Sequence, residues 1–281
     1  MSKLKTALEK AKQARGLGHE SLIDDAGLIG AESRDEVGRT PKLQHEIHVS
    51  YAKTKVQPVD LEVLKKNKVV SLFHDNEVTD RIGILRAQVL KKLEEIHGNS
   101  LLVTSANISE GKTFTAINLS LSIAQELNRT VLLVDADLRK PHSNHLDFTR
   151  DFFGLETRKG LSDYLLGEAE IPELLMNPGV SKLTILPGGR SLPNSAELLG
   201  SLRMASMIKE MKSRYRGDRI LIFDSSSLLT CADSLVFSRY LDGVLLVVEA
   251  ERTTPADLKR VMELMKNTNI LGTVMNKAKG E

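Results

Sequence analysis

The sequence predicts an α/β fold, a mostly parallel sheet with helices on both faces, preceded by a partly flexible N-terminal extension. Three observations lead there. Past residue 98, short Val/Ile/Leu-rich runs alternate with longer segments of helical periodicity. The runs are nearly continuous in apolar residues, as expected of parallel strands covered on both sides. Three of them lead into a Gly-Lys-Thr turn or end in Asp, at the strand ends where open α/β sheets collect ligands.

The elements follow in order. Residues 2–15 read as a short basic amphipathic helix, with Leu4, Ala7, Leu8 and Ala11 on one stripe; up to residue 20, Lys3, Lys5, Lys10, Lys12 and Arg15 outnumber Glu9 and Glu20. Such a helix suits a membrane surface or a partner; its weak, Ala-rich apolar face equally suits a solvated terminal helix. Residues 16–70 are polar and aperiodic, a flexible linker with short ordered pieces. A better helix spans Glu77 to Ile96, where Ile82, Leu85, Val89, Leu90 and Leu93 form one stripe. Strands are expected at Ser100–Ser105, Thr130–Val134, Leu183–Leu186, Arg219–Phe223, Val244–Val248 and Gly272–Met275. Helices are expected at Thr113–Leu127, Ala196–Arg214 and Pro255–Lys266. The boundary falls near residue 75: an extension over 1–75, then one domain over 76–281.

Composition narrows the function. The 281 residues are 41% hydrophobic and 27% charged, enough for a sizeable core. Aromatics reach only 4% with no Trp, which disfavours a stacking platform for single-stranded nucleic acid. A net charge of +2 is too small to attract polyanions globally, and no groove-reading motif occurs, so no nucleic acid partner is expected. A single Cys, Cys231, excludes a disulfide framework and a Cys-based metal cage; it reads as a small packed residue. The seven His form no ligand pattern. No apolar run approaches the roughly 20 residues that cross a bilayer, and the first residues lack a signal peptide's apolar stretch, so a cytoplasmic location is expected.

The stretch LLVTSANISEGKTFTAINLSLSIA runs strand, loop, helix. From Ala106 to Thr113 it matches G-x-x-x-x-G-K-[ST], with Ala106 in place of the first glycine. In such a loop the backbone N–H groups and the helix N-terminus face phosphate oxygens. Gly111 allows close approach and unusual dihedrals. Lys112 reaches the outer phosphates and Thr113 contributes a hydroxyl to Mg²⁺. The expected nucleotide contacts are Ser109, Glu110, Gly111, Lys112, Thr113 and Phe114, and the expected fold becomes that of a P-loop NTPase binding ATP and Mg²⁺.

Two further strands end in acids. TVLLVDADLR ends in Asp135-x-Asp137-x-Arg139, and residues two apart on a strand share a face. Two carboxylates about 4 Å apart repel by roughly 1–4 kcal/mol at effective dielectrics of 80 to 20, so the pair calls for a cation or a proton. RILIFD ends in Asp224, in the manner of a Walker B strand that holds Mg²⁺. Loop-capping or helix-capping roles are the alternative for each acid alone.

A P-loop, then D-x-D-x-R, then a Walker B strand resembles the bacterial tyrosine kinase family of capsule and exopolysaccharide systems. Gly160-Leu-Ser-Asp-Tyr-Leu-Leu-Gly167 and Leu186-Pro-Gly-Gly-Arg-Ser-Leu-Pro-Asn-Ser-Ala-Glu-Leu-Leu199 are similar to segments of that family. The opening MSKLKTALEKAKQARG is similar to the kinases encoded beside exosortase-type polysaccharide loci. The resemblance covers residues 76–277 and the first turns. It implies ATP-dependent tyrosine autophosphorylation, with Lys112, Asp135 and Asp137 catalytic and Thr113, Asp135 and Asp224 around Mg²⁺. Arg139 would join the nucleotide contacts. Asn276 matches the position where related P-loop proteins contact adenine. The resemblance also implies a homo-oligomer and a membrane adaptor, a chain-length-determinant or co-polymerase protein, that recruits the chain to the inner face of the cell membrane.

Several residues depart from the family pattern. The family's phosphoacceptor is a C-terminal tyrosine cluster, whereas this sequence closes on NKAKGE and its tyrosines, Tyr51, Tyr164, Tyr215 and Tyr240, are isolated. Asp-x-Pro-Pro is here Asp224-Ser-Ser-Ser227. The Glu-x-x-Arg-x-x-Arg linked to ring formation is at best Asp80-x-x-Gly83-x-x-Arg86. Ile108-Ser109 stands where Pro-Gly is common. Two other functions therefore stay open: an ATPase switch like the partitioning and division-site ATPases, and a non-phosphorylating ATP-binding module. The first is disfavoured by Asn107, which occupies the place of those proteins' second P-loop lysine.

Overall fold

The structure, a computed structural model, describes residues 54–73, 77–139, 148–214 and 218–279. The chain divides into two units, Met1–Leu43 and Gln44–Glu281. The first, with the basic helix expected at 2–15, lies outside the described residues, as do Tyr51 and Tyr215.

Within the second unit, β1 (Lys55–Val56), α1 (Leu61–Lys66) and α2 (Glu77–Glu95) lead into β2 (Ser100–Ser105) and α3 (Lys112–Ala124). Then come β3 (Thr130–Asp135), α4 (Phe148–Phe153), α5 (Leu161–Leu165), α6 (Ile171–Leu174), β4 (Met176–Asn177) and β5 (Leu183–Leu186). The last part holds α7 (Ser195–Leu199), α8 (Leu202–Arg214), β6 (Arg219–Asp224), α9 (Asp233–Ser238), β7 (Gly243–Glu249), α10 (Pro255–Leu264) and β8 (Ile270–Asn276). The strands form one sheet in the order β1-β4-β5-β3-β6-β2-β7-β8. Every pairing is parallel except β4 with β5. This is the mostly parallel α/β sheet that the sequence predicts.

Strand alternation builds the core on both faces. Leu101, Val103, Val131, Leu133, Ile220 and Ile222 pack under α2 and α3. Their neighbours Leu102, Leu132, Val134, Leu221 and Phe223 pack on the other face against α5, α8 and α9. There Phe223 meets Phe237 edge to face, ring centroids 5.1 Å apart. Gly200 and Ser201 divide the single helix expected over 196–214 into α7 and α8.

Residues 54–73 lie before the expected boundary near 75, yet they join this sheet and core. β1 extends the sheet beside β4. Leu64 and Val69 are buried with α3. Asn118 of α3 fixes the segment: its Oδ1 accepts from Val70 N (2.8 Å) and Ser71 N (3.1 Å), and its Nδ2 donates to Lys68 O (3.3 Å) and Phe114 O (3.0 Å). On α2, Arg86 turns inward. Its guanidinium donates to Ser122 O at 3.0 Å and pairs with Glu126 at 2.9 Å. The basic residue of the candidate oligomerisation pattern is thus spent within the chain.

The order β3-β6-β2 brings the site together. Asp135 at the end of β3 stands in register with Asp224 at the end of β6, and Val103 of β2 pairs with Asp224 from the other side. The loop that leaves β2 therefore opens beside both acids. The chain crosses from β2 to β3 on one side and later from β6 past β2 to β7 on the other, the arrangement that leaves a crevice at the carboxyl ends of the strands.

Candidate functional site

The loop between β2 and α3 is shaped by its own side chains and by the neighbouring edge of the sheet. Gly111 precedes α3 with φ +100°, and a Cβ there would lie 1.9 Å from Asn276 Nδ2. Both the dihedral and the close approach require glycine. Ser109 also has a left-handed φ, +64°, where the family pattern commonly has glycine. Glu110 is fully buried. Its carboxylate accepts from Asn107 N (2.9 Å), Asn107 Nδ2 (3.3 Å) and Thr253 Oγ1 (2.6 Å). The Glu110 side chain is thus spent on loop shape, and only its backbone can meet a ligand. Thr113 and Phe114 are half-buried in the first turn of α3.

Three carboxylates surround the lysine that follows the loop. Lys112 Nζ donates to Asp137 Oδ2 at 2.9 Å, with side chains only 13% and 8% exposed. Asp135 Oδ1 accepts from Asp137 N at 3.1 Å, which fixes the turn after β3. Asp224 Oδ1 is buried with no hydrogen-bond partner among the described residues. Burial works against the Lys112 charge, but Asp224, Asp137 and Asp135 more than offset it and hold the ammonium above the ordinary lysine value. Burial pushes the Asp224 carboxyl up to about 7; Lys112 and Thr113 act the other way, and Asp135 and Asp137 add to the rise.

These residues fit Mg²⁺. A carboxyl raised by burial and then by two neighbouring carboxylates, with one oxygen unpartnered, favours sharing a cation. Among the described residues no group of three or more His, Cys, Asp or Glu forms a metal cage. Mg²⁺ does not require one, because it is usually held by one or two carboxylates together with substrate phosphates.

One wall of the site comes from segments that the sequence marked only by resemblance. The loop after β5 passes so close to Asp135 that a Cβ on Gly188 would lie 2.7 Å from Asp135 Oδ2. The loop is held by the start of α5, where Leu161 N donates to Pro187 O (2.7 Å) and Ser162 N to Gly188 O (3.0 Å). Arg190 N donates to Ser162 Oγ (2.9 Å) and Leu192 N to Leu138 O (2.9 Å). The segments around 160–167 and 186–192 are thus one hydrogen-bonded unit behind Asp135.

The serines after Asp224 tie that segment to the end of β2 and the start of the loop. Thr104 Oγ1 donates to Ser226 O (2.7 Å), Ser225 N to Val103 O (3.2 Å), Leu228 N to Ser105 O (2.9 Å) and Leu229 N to Ala106 O (3.1 Å). Cys231 Sγ donates to Ser226 Oγ at 3.0 Å, and burial pushes its thiol above the ordinary value, so it behaves as a packed residue.

Of the expected site residues, Ser109 to Phe114, Asp135, Asp137, Asp224 and Asn276 gather at one end of the sheet. Arg139 lies two residues past Asp137 and is exposed. Asn276 directs its Nδ2 to Glu110 O at 2.9 Å. Lys277, Thr253 and Gly188 are site residues that the sequence reading missed. They reach the loop or Asp135 only through tertiary contacts; no local pattern marks Lys277 or Thr253, and Gly188 lies in a segment marked only by resemblance, with no role assigned to it.

No protein-family model matches the chain. Over 216 residues it is 31% identical to the tyrosine-protein kinase YwqD of Bacillus subtilis, covering 76% of this chain and 85% of that protein. It is 30% identical over 215 residues to the tyrosine-protein kinase wzc of Salmonella typhi, and 28% identical over 203 residues to the tyrosine-protein kinase etk of Escherichia coli K12. Of those two proteins the chain spans only 28% and 27%, although the matches cover 75% and 72% of this chain. The solved kinase domain of Escherichia coli ETK shares the fold with a TM-score of 0.67 at 24% identity, over 81% of this chain and 92% of that one. The septum site-determining protein MinD of Pyrococcus horikoshii, solved with Mg-ADP, shares it with a TM-score of 0.51 at 24% identity, over 63% of this chain and 69% of that one. The fold is that of P-loop nucleotide-binding domains, and the chain belongs to the bacterial tyrosine-protein kinase family.

Proposed function

We propose that the chain is an ATP- and Mg²⁺-dependent tyrosine autokinase-like regulator of exopolysaccharide or capsule synthesis and export. The observation that carries this is Lys112 held among Asp137, Asp135 and Asp224 at the mouth of a formed phosphate-binding loop. In this reading the backbone N–H groups from Ser109 to Phe114 and the Lys112 ammonium hold the phosphates. Thr113, Asp135 and Asp224 hold Mg²⁺, which supplies positive charge at the phosphate oxygens. Asp137 gives up its bond to Lys112 and takes the proton of the attacking tyrosine hydroxyl. The tyrosine oxygen forms a bond to the γ-phosphorus as the bond to the ADP oxygen breaks. Arg139 adds a cation near the phosphates, and Asn276 borders the nucleotide.

Family membership supports the remainder: a homo-oligomer, and recruitment to the inner face of the cell membrane by a polysaccharide co-polymerase adaptor. None of the described helices is long and apolar enough to cross a membrane.

A second reading, an ATPase switch or an ATP-binding module that transfers no phosphate, is favoured by the two described tyrosines. Tyr240 donates its hydroxyl to Gly200 O at 2.8 Å and accepts from Arg239 at 2.9 Å. The Arg203 guanidinium stacks 4.4 Å from the centre of the Tyr164 ring. The test is incubation with ATP and Mg²⁺, wild type beside Lys112→Met and Asp137→Ala, followed by mass spectrometry for phosphotyrosine. Phosphotyrosine in wild type alone supports the kinase. ATP binding without phosphotyrosine, even with the adaptor present, leaves the second reading.

A further inference from the structure

The outer edge of the phosphate-binding loop meets donors from a part of the chain far away in sequence. Asn276, the last residue of β8, donates Nδ2 to Glu110 O at 2.9 Å. Lys277, the next residue, donates Nζ to Ser109 O at 2.8 Å. Both are therefore tied to consecutive carbonyls of the loop. Lys277 is itself held by Glu249 at the end of β7, at 3.1 Å, and Arg252 reaches the same Glu249 oxygen at 3.0 Å. Thr253 completes the edge: its hydroxyl accepts from Glu249 N at 2.9 Å and donates to Glu110 Oε1 at 2.6 Å.

The consequence follows from peptide geometry. Across a planar trans peptide the C=O and the next N–H point in opposite directions. Drawing the Ser109 carbonyl outward to Lys277 turns the Glu110 N–H inward, and drawing the Glu110 carbonyl outward to Asn276 turns the Gly111 N–H inward. Those are two of the amides a phosphate needs. The loop also contains two left-handed residues, Ser109 at φ +64° and Gly111 at φ +100°, and Ser109 is one that does not adopt this region freely. Within the loop the Glu110 carboxylate bonds to Asn107, but the Ser109 and Glu110 carbonyls themselves are held by donors from outside it.

We infer that Asn276 and Lys277 are positioning residues that set the phosphate-binding amides of Glu110 and Gly111 before nucleotide arrives. This rests on the nucleotide-binding reading above and gives Asn276 a role through the loop rather than through the base. The Glu249–Arg252–Thr253 cluster holds Lys277 and Glu110 in place, so the end of β7, the turn after it and the end of β8 act together as a brace for the loop.

The test uses the full chain as wild type, Asn276→Ala, Lys277→Met and the double variant, with two readouts. One is the ¹H–¹⁵N signals of Glu110 and Gly111 in the nucleotide-free protein. The other is the Kd for ATP with Mg²⁺ by calorimetry. Thermal unfolding of each variant checks that the fold is kept. We expect the two amide signals to move or broaden in each variant, and ATP binding to weaken about three- to tenfold, the size of one lost hydrogen bond. Weaker ATP binding with both amide signals unmoved would show a direct base contact and overturn the inference. Wild-type affinity in all variants would overturn it as well. If wild type binds no ATP, the nucleotide reading fails, while the amide signals still decide whether the brace exists.

Discussion

Lys112 and Asp137 are bonded to each other, Nζ to Oδ2 at 2.9 Å, across the gap between the start of α3 and the turn after β3. The lysine that should hold phosphate is thus occupied by the acid that should take the tyrosine proton. On the proposed mechanism nucleotide breaks this pair, and the two roles separate in a single substitution. In Asp137→Asn the ammonium is held less tightly, so ATP affinity should stay the same or tighten. Phosphate transfer should fall on the order of 100-fold or more, the usual contribution of a general base. Calorimetry with ATP and single-turnover phosphorylation measure the two separately. A parallel loss of both would mean that Asp137 serves binding alone.

Gly188 supports a second prediction. A Cβ at this position would lie 2.7 Å from Asp135 Oδ2 and 2.9 Å from its Cγ, so Gly188→Ala must displace the carboxylate or the loop. A displacement on the scale of 1 Å at a reacting group costs up to about 100-fold in rate. Phosphorylation should drop on the order of 10- to 100-fold while circular dichroism and ATP binding through Lys112 are largely kept. Full activity in Gly188→Ala would show that Asp135 has room to move and no fixed role.

How far the sequence reveals this site depends on the range of each contact. Ser100–Ser105, Leu183–Leu186 and the Asp-ended strands are legible because central parallel strands need apolar side chains on both faces. The phosphate-binding loop is legible because its chemistry is local: Gly111, Lys112 and Thr113 act from consecutive positions. Residues 54–73 read as linker because their anchors are few and distant. Leu64 and Val69 are buried in the core where Asn118 bonds the backbone of 68–71. The helix over 148–153 escaped for a similar reason: in its six residues Phe148 and Phe153 pack edge to face, and no helical stripe is long enough to register. Lys277 and Thr253 contact the loop from more than a hundred residues away in sequence, a separation that no local period records.

Asn118 gives the stability prediction. All of its bonds are made inside the fold, and Asn118→Ala strips the partners from Val70 N and Ser71 N at once. Ser71 N is buried and Val70 N part-buried, and a buried donor left without a partner costs about 1–3 kcal/mol. Urea unfolding should show a loss in that range or somewhat above it, and limited proteolysis should now cut within 54–73 ahead of the rest of the domain. Unchanged stability would mean that the β1–α1 segment is held by its apolar contacts alone.

Asp242 gives the pH dependence. It sits at the opposite end of the sheet from the nucleotide site, and it accepts from Asn99 N (2.9 Å), Ser100 N (3.0 Å), Ser100 Oγ (2.7 Å) and the Lys212 ammonium. Burial pushes its carboxyl up, but the bonds from Lys212, Asn99 and Ser100 outweigh that and hold it below the ordinary value of 3.8. A folded-state pKa below the unfolded one means that the unfolded chain takes up the proton first. The stabilisation is therefore fully present above the unfolded value and is lost as pH falls through 3.8 toward the folded one. Asp242→Asn should be less stable than wild type near pH 7, because an amide cannot pair with Lys212 or accept with both oxygens. The gap should narrow as the pH is lowered past 4, where wild type forfeits the same interaction. Thermal unfolding of both proteins from pH 3 to 7 measures the gap directly, and a constant gap across that range would place the effect of Asp242 in packing rather than in its charge.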